Sequence, residues 1–255
     1  EAVEVFDSFI TELKRAVPEA EMMLISGNHD SGLRLNCFRE ILDEQKVYMI
    51  GLPPRREEEY IEKVTLQDEF GPVNFYLLPF VKPSMVKQIV GVDENGNNLS
   101  YDATLHKLIA REEVNTTERN VLVSHQFYLP VGENAESVER MDSEIRTVGN
   151  IDAVASDVLE AFDYAALGHI HKPKYDNRIV YPGSPISFGF DELGAHGFIS
   201  GEIKNREINI EFIPIDEREF KEINYDISAI NSKEELIEKL QELKLNKNDF
   251  YKIIL

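Results

Sequence analysis

Apolar side chains at the start of the chain recur every three or four residues, which is the spacing of one face of an α-helix. They are Val3, Phe6, Ile10, Leu13 and Val17. Pro18 marks the end of this predicted amphipathic helix, because proline removes a backbone donor. The apolar run at 22–25 then predicts a strand, and it stops at the polar segment Ser26-Gly27-Asn28-His29-Asp30. The predicted order is helix, strand, polar loop.

Two later apolar runs also end at histidine. The run at 121–123 leads through one serine to His125, and the run at 164–167 leads through one glycine to His169 and His171. In open α/β sheets, ligands bind beyond the carboxyl ends of the strands. We therefore expect the three polar loops to converge on one site.

Further strands and helices alternate between these loops. We predict strands at 47–50 and 75–80 and helices at 101–111 and 151–161. After His171, short β segments at 179–181, 197–203 and 208–213, with a turn at 204–206, predict antiparallel structure. The pattern indicates the α/β class, with antiparallel structure in its later part.

The composition changes near Pro214 to sequence rich in Lys and Glu. Ser232 and Glu235 form a capping-box pair that predicts the start of a helix, and 250–255 reads as a strand. We therefore predict a first domain at 1–213 and the start of a small α/β domain at 214–255.

Composition narrows the protein class further. The chain has 255 residues and a single cysteine, Cys37, which rules out an intramolecular disulfide framework and favours a reducing cytoplasm. We interpret Cys37 as a small buried hydrophobic residue.

No apolar run approaches the length of a membrane span and no signal-peptide pattern is visible, so neither a membrane nor a secretory location is expected. The net charge of -20 argues against non-specific DNA affinity.

The residue types in the three loops point to metal chemistry. His169 and His171 stand two residues apart, which on an extended segment directs both rings to one side, where they can bind a metal. Asn28 offers a neutral oxygen ligand, while His29 can face a substrate and Asp30 can orient the His29 ring. The alternative for 28–30 is an Asx turn with a solvent-facing histidine.

The other candidate residues carry weaker signals. His106 in a predicted helix and His196 in a glycine-flanked turn are interpreted as surface residues. The Arg55-Arg56 pair is interpreted as a solvated loop, with contact to a polyanion as the alternative. Lys172 and Lys174, next to the histidine pair, are better placed to meet phosphate; this stays a hypothesis.

These residues resemble the sequence blocks of the calcineurin-like metallophosphoesterases: a Gly-Asn-His-Asp loop, a later single His, and a Gly-His-x-His pair. Within that superfamily the chain is most similar to the SbcD-type nuclease subunits of the break-repair branch. The stretches that carry this closer similarity are Ser143-Glu144, Val148-Gly149, Phe162-Asp163-Tyr164, Tyr181-Pro-Gly-Ser-Pro185 and Phe190-Asp191-Glu192.

The resemblance implies a fold, an α+β sandwich with a two-sheet core flanked by helices, and it also implies a function and a set of roles. Asn28, His125 and His169 would bind one metal ion and His171 a second, and His29 would contact the phosphate and assist the leaving oxygen. Two divalent ions, expected to be Mn²⁺, can hold both oxygens of an in-line displacement. The family's reaction is exonucleolytic cleavage of duplex DNA and endonucleolytic cleavage of single strands and hairpins, in DNA repair and recombination.

The resemblance also implies partners and a cellular setting. The partners would be DNA and an SbcC-type ATPase subunit. The nuclease subunit would form a homodimer within a heterotetramer, and the complex would lie in the cytoplasm. The region after Pro214 would begin the family's DNA-contacting capping domain.

The chain departs from the family pattern in one respect. The Asp-x-His and Gly-Asp blocks that precede the first helix in the family do not appear, and three metal ligands are missing with them. We therefore expect this chain not to assemble a complete two-metal centre. Two alternatives stay open: a phosphoesterase acting on a smaller phosphodiester or a phosphoprotein, and an inactive scaffold for an ATPase partner.

Overall fold

The chain divides into two compact units, Glu1–Gln126 and Phe127–Leu255, in a computed structural model that describes residues 1–129, 152–215, 218–230 and 232–255. The described residues form six α-helices and fourteen strands, so the mixed α/β class predicted from the sequence is confirmed. The finer prediction of a metallophosphoesterase two-sheet core stays a prediction. So does the domain boundary at 213/214, which differs from the division into compact units.

The first unit holds five helices and five strands. In chain order they are α1 (Ala2–Ala16), β1 (Met22–Ile25), α2 (Gly32–Leu35), α3 (Arg39–Asp43), β2 (Val47–Ile50), β3 (Glu62–Asp68), β4 (Gly71–Leu78), α4 (Pro83–Val90), α5 (Tyr101–Ala110) and β5 (Arg119–Ser124). The predictions for α1, β1, β2, α5 and β5 are confirmed. The predicted strand at 75–80 is real but begins four residues earlier and ends at Leu78.

The strands of the first unit run so that several carboxyl ends meet. β1 pairs with β2 in parallel, β4 pairs with β5 in parallel, and β3 is antiparallel to β4. Ser26 joins the two sets directly after β1, because its N–H donates to Ile50 and its carbonyl accepts from the N–H of Phe80, both at the ends of neighbouring strands. The loops that follow β1, β2, β4 and β5 therefore leave the sheets at one edge.

A cluster of apolar side chains packs between these strands. Ile50, Val64 and Leu77 are buried, and Met23 and Phe75 pack against them from β1 and β4. Since burial of each such side chain contributes about 1.5–3 kcal/mol, this cluster holds the strand ends in place. Cys37 does not belong to such a core: it is exposed, so its interpretation as a buried residue was wrong.

The second unit is built mainly from short strands. They are β6 (Phe127–Leu129), β7 (Ala153–Ala155), β8 (Tyr164–Leu167), β9 (Lys174–Tyr175), β10 (Ile179–Tyr181), β11 (Gly197–Lys204), β12 (Glu207–Pro214), β13 (Phe220–Asn224) and β14 (Phe250–Ile254), with α6 at Lys233–Gln241. A 3₁₀ helix at Ser156–Leu159 follows β7.

Pairing in the second unit mixes both directions. β11 and β12 form the predicted antiparallel hairpin around Asn205, which has the positive φ of 56° that such a turn favours. β10, however, is parallel to β8 and antiparallel to β9, and β13 is parallel to β14. The prediction of antiparallel structure after His171 therefore holds for the β11–β12 hairpin and for the pair of β9 with β10, while β10 also pairs in parallel with β8, which precedes His171.

The predicted helix at 151–161 was wrong over the residues that the structure describes. Residues 153–155 pair in parallel with β6, and only one 3₁₀ turn follows. The apolar spacing of this segment suits a buried strand as well as a helix, and the pairing partner decides between them. Ile151 lies outside the described residues.

The helix predicted from the capping box is confirmed as α6. The Ser232 hydroxyl accepts the N–H of Glu235 at 3.1 Å, which satisfies one of the free donors of the first turn. No helix among the described residues is long and apolar enough to cross a membrane.

Candidate functional site

The predicted site residues fall into two groups, one in each unit. In the first unit they are the loop at 26–30 after β1 and His125 after β5. Ser26 anchors this loop: it is buried, and its hydroxyl donates to the Gly51 carbonyl at 2.9 Å. The loop therefore starts from a fixed backbone position at the shared edge of the strands.

Asn28 and His125 are in direct contact although 97 residues separate them. His125 Nε2 lies 2.9 Å from Asn28 Oδ1. The two atoms form a hydrogen bond when Nε2 carries the ring proton, and Nε2 can bind a metal ion only in the tautomer without that proton. Ligand atoms about 2.1 Å from an octahedral ion and at right angles to each other stand about 3 Å apart, so the 2.9 Å distance fits two adjacent metal ligands as well as it fits a hydrogen bond. Two of the three loops that were predicted to converge are therefore in contact, and the convergence of the third loop, with His169 and His171, stays a prediction.

The His125 ring is held from two sides. The Phe80 ring meets it edge-on, with centroids 6.1 Å apart. On the loop side, a Cβ at Gly27 would lie 2.8 Å from His125 Cε1 and 3.0 Å from Nε2, closer than such contacts normally allow. Only glycine at position 27 lets the ring approach the loop this closely.

His29 and Asp30 are exposed at the end of the same loop. The Asp30 carboxylate accepts the N–H of Gly27 at 2.7 Å. The predicted roles of both residues in catalysis stay predictions.

In the second unit, His169 follows β8 with a φ of 93°, a conformation that costs energy for a residue with a side chain. The segment is thus not extended, and the expectation that both rings point to one side by strand alternation was wrong. His169 and Asp152 are both buried, with side chains 4% and 5% exposed, and His169 Nε2 lies 3.8 Å from Asp152 Oδ2. Strain retained at such a position is typical of functional sites.

His171 has its own carboxylate. Its Nδ1 donates to Glu192 Oε1 at 2.6 Å, and Glu192 Oε2 accepts the N–H of Phe188 at 2.9 Å. The Glu192 side chain is fully buried. A buried carboxylate that accepts from Nδ1 fixes the orientation of the ring and favours the tautomer with the proton on Nδ1.

His196 is also part of this second group, so its interpretation as a surface residue was wrong. It is buried, its Nδ1 lies 3.0 Å from the Ser184 hydroxyl, and its Nε2 lies 2.9 Å from the Glu192 carbonyl. The Ser184 N–H in turn donates to the His171 carbonyl at 2.9 Å. His196 therefore links the segment after His171 to the segment that carries Glu192.

The donor chemistry of the first group suits a divalent ion, since an amide oxygen and an imidazole nitrogen are both metal ligands. In the part of the chain that the structure describes, no three or more His, Cys, Asp or Glu side chains are grouped so that they could hold a metal ion. The ligand sets predicted for the two ions, with Asn28, His125 and His169 on one and His171 on the other, stay predictions.

Sequence reasoning missed Asp152, Glu192 and Ser184 as members of the second group. A single acid or serine has no diagnostic spacing, and these three meet the histidines only through the fold. Glu192 had one weak signal, its place in the Phe190-Asp191-Glu192 stretch that contributes to the family resemblance.

No protein-family model matches the chain. Two of the stretches that carry the resemblance, at 143–144 and 148–149, lie outside the described residues.

Proposed function

We propose that this chain belongs to a metal-dependent DNA nuclease subunit that hydrolyses phosphodiester bonds, with Mn²⁺ as the ion and an SbcC-type ATPase as the partner. The observation that carries the proposal is the 2.9 Å contact between Asn28 and His125 at the carboxyl ends of β1 and β5. Two residues of metal-ligand type that are 97 positions apart in sequence meet beside the ends of two strands, and this contact supports the proposal.

The chain's own residues would have separate roles in metal binding and in catalysis. Asn28 and His125 would hold an ion, and the exposed His29 beside them would contact the phosphate and donate a proton to the leaving oxygen. His171, fixed by Glu192, would present Nε2. A bound divalent ion would supply charge stabilisation of the phosphodiester oxygens and ease deprotonation of the attacking water.

Metal binding is tested first, by calorimetric titration of the 255-residue chain with Mn²⁺. We expect one ion per chain, with affinity reduced at least about tenfold in Asn28→Ala and His125→Ala. The matched control is His106→Ala, which removes a histidine from α5 in the same unit and should leave the affinity unchanged. Absence of binding, or equal losses in all three variants, contradicts the proposal. Two ions per chain contradict the expectation that the centre is incomplete.

Nuclease activity is tested on the full-length gene product with Mn²⁺ and labelled duplex and hairpin DNA, with and without the ATPase subunit. We expect cleavage of both substrates, lost in His125→Ala and retained in His106→Ala. Cleavage confined to small chromogenic phosphodiesters would favour the smaller-substrate alternative. Binding of the ATPase without hydrolysis of any substrate would favour the scaffold.

A further inference from the structure

His196 is a buried histidine whose main chain is anchored to the β11–β12 hairpin. Its carbonyl accepts the N–H of Ile215 at 2.7 Å, just after β12 ends, and β11 begins at the next residue, Gly197. A Cβ at Gly197 would lie 2.0 Å from the Ile213 carbonyl oxygen, so the two strands approach each other closely at this point. The His196 ring therefore starts from a fixed position on the hairpin.

The contacts of the His196 ring assign its proton. Nε2 lies 2.9 Å from the Glu192 carbonyl oxygen, which can only accept, and Nδ1 lies 3.0 Å from the Ser184 hydroxyl, which can donate. In the neutral ring, a proton on Nε2 satisfies both contacts. A proton on Nδ1 would instead be directed to the Ser184 carbonyl, 3.1 Å away, and would leave Nε2 facing a carbonyl oxygen with no proton between them. We therefore expect the Nε2–H tautomer of His196.

Glu192 makes hydrogen bonds through its main chain as well as its side chain. Its carbonyl accepts from His196 and from the Ser187 hydroxyl, at 2.9 Å each, and its N–H donates to the Gly189 carbonyl at 3.1 Å. The Ser187 and Gly189 contacts lie within the loop that carries Glu192, so they fold this loop on itself. The His196 contact instead ties the loop to the hairpin, and without it the position of the Glu192 carboxylate would depend more on the loop itself.

Ser184 completes the network on the other side. Its N–H donates to the His171 carbonyl at 2.9 Å. At Gly183 the φ is 80°, and a Cβ there would lie 2.5 Å from the same carbonyl oxygen, so the two segments are in close contact. The bond from His171 Nδ1 to Glu192 Oε1 then closes a circuit that runs through His171, Glu192, His196 and Ser184. A buried hydrogen-bond network holds its members in one arrangement, so a change at His196 is transmitted to the His171 ring.

We infer that His196 is a positioning residue for His171 and that it acts through the main chain of Glu192. By holding the Glu192 carbonyl it keeps the carboxylate beside Nδ1 of His171, which favours the tautomer whose Nε2 carries no proton. A histidine nitrogen binds a metal ion only in its unprotonated form, so this tautomer is the one in which Nε2 could be a ligand. The inference rests on the proposed function, because it states how His171 is prepared for its role there.

The test is ¹⁵N NMR of the 255-residue chain labelled at histidine, without added metal ion, with the His171 signals assigned by their loss in His171→Gln. Wild type should carry the proton of His171 on Nδ1. His196→Gln keeps a side-chain N–H close to the place of Nε2, so His171 should keep its tautomer. His196→Asn is shorter and can reach Ser184 but not the Glu192 carbonyl, so the Nε2–H form of His171 should become the major form.

Ser184→Ala tests the other half of the circuit and leaves the main chain intact. Without the hydroxyl, the nearest partner of His196 Nδ1 is the carbonyl of residue 184, which can only accept. We therefore expect the His196 proton to shift towards Nδ1, with the His196 signals assigned by their loss in His196→Gln. A His196 ring that keeps its proton on Nε2 would overturn the inference. This variant also keeps the inference testable if His196→Asn does not fold.

Cleavage of labelled duplex DNA by the full-length gene product with Mn²⁺ gives a second measurement. The kcat of His196→Asn should fall about 10-fold to 100-fold, the loss that follows when a metal-binding histidine is no longer held in place. Its KM should stay within about twofold, because the inference gives His196 no contact with the substrate. His196→Gln should retain most of the activity. Equal losses of kcat in the two variants would contradict the inference.

The matched control is Ile203→Ala, which truncates an apolar side chain of β11, the strand that follows His196. It should lower the urea midpoint and leave the His171 tautomer unchanged. An unchanged tautomer in His196→Asn, or an equal shift in Ile203→Ala, would show that His196 is only part of the core and would overturn the inference. A wild type that neither binds Mn²⁺ nor cleaves DNA would defeat the proposed function, while the NMR measurement would still decide the positioning role. The two failures are therefore distinguishable.

Discussion

At the scale of single residues, the candidate site depends on the absence of a side chain at position 27. Gly27 precedes Asn28, and the His125 ring occupies the space that a Cβ at Gly27 would need. The neighbour that must move is a side-chain ring and not backbone, so a substitution here should affect the site more than the fold.

We predict that Gly27→Ala lowers Mn²⁺ affinity about tenfold to 100-fold while changing the free energy of unfolding by less than about 1 kcal/mol. Calorimetric titration and urea unfolding measure the two quantities. Gly51→Ala is the matched control, because its Cβ would lie 2.0 Å from the Gly32 carbonyl oxygen, which is backbone and cannot yield. That variant should lose about 1–3 kcal/mol of stability. A larger stability loss in Gly27→Ala than in Gly51→Ala would contradict this account.

Glu192 decides which nitrogen of His171 carries the proton. Because the buried carboxylate accepts from Nδ1 at 2.6 Å, we expect neutral His171 to be the Nδ1–H tautomer. Glu192→Ala should shift the ring towards the Nε2–H form, measured by ¹⁵N chemical shifts of the labelled ring. Asp191→Asn, which changes the exposed neighbouring acid, should leave the tautomer unchanged. An Nδ1–H tautomer that persists in Glu192→Ala would show that Glu192 does not position the ring.

At the scale of helices and strands, the sequence pattern correctly predicted the elements that depend on interactions between residues close in sequence. The spacing of Val3, Phe6 and Ile10 predicted α1, and the pair Ser232 and Glu235 predicted the start of α6, since both signals lie within a few residues. The segment at 153–155 was misassigned because its partner β6 is distant in sequence and invisible to a local pattern.

The site was predictable to a similar extent. Asn28 and His125 were found because each follows an apolar strand, and parallel pairing brings such strand ends to one edge. The positive φ of His169 and the burial of His196 were not visible, because neither has a local sequence signature. The carboxylates of Asp152 and Glu192 lie beside the histidines only because of tertiary contacts, which a local sequence pattern does not show.

Asp68 and Arg119 join the end of β3 to the start of β5. Arg119 Nη1 donates to Asp68 Oδ2 at 2.8 Å, and Nη2 donates to the Gly71 carbonyl at 2.7 Å. The hydrogen bond from Arg119 holds the pKa of the Asp68 carboxyl below 3.8, its usual value. A lowered folded-state pKa contributes stability that is present above the unfolded pKa and is lost as pH falls through the folded value.

We therefore predict that Asp68→Asn lowers stability relative to wild type at pH 7, and that the difference shrinks as pH falls below 3.8. Urea unfolding of both proteins across this pH range measures the difference. Glu112→Gln is a control of opposite sign: burial raises the pKa of the Glu112 carboxyl above 4.5, so wild type loses stability as pH rises through that raised value. Glu112→Gln should gain relative to wild type over the same rise. A pH-independent difference for Asp68→Asn would contradict the assigned role of the ion pair.

At the scale of the whole molecule, the charge of -20 is spread over a chain with 47 acidic and 27 basic side chains. Exposed ion pairs such as Arg15 with Glu12 contribute at most about 1 kcal/mol each and are weakened by salt. Repulsion between the excess carboxylates acts in the other direction, because compaction brings like charges together and salt screens them. The sign of the salt effect on stability therefore reports which of the two dominates.

We predict that repulsion dominates, so that the free energy of unfolding at pH 7 rises as NaCl increases from about 0.01 M to about 0.5 M, a range over which the Debye length falls from about 30 Å to a few ångströms. The measurement is the urea midpoint at each salt concentration. Repeating it at pH 4.7, the sequence isoelectric point, is the control, because the net charge vanishes there and the rise should disappear. A midpoint that falls with salt at pH 7 would mean that the ion pairs outweigh the excess of acidic groups.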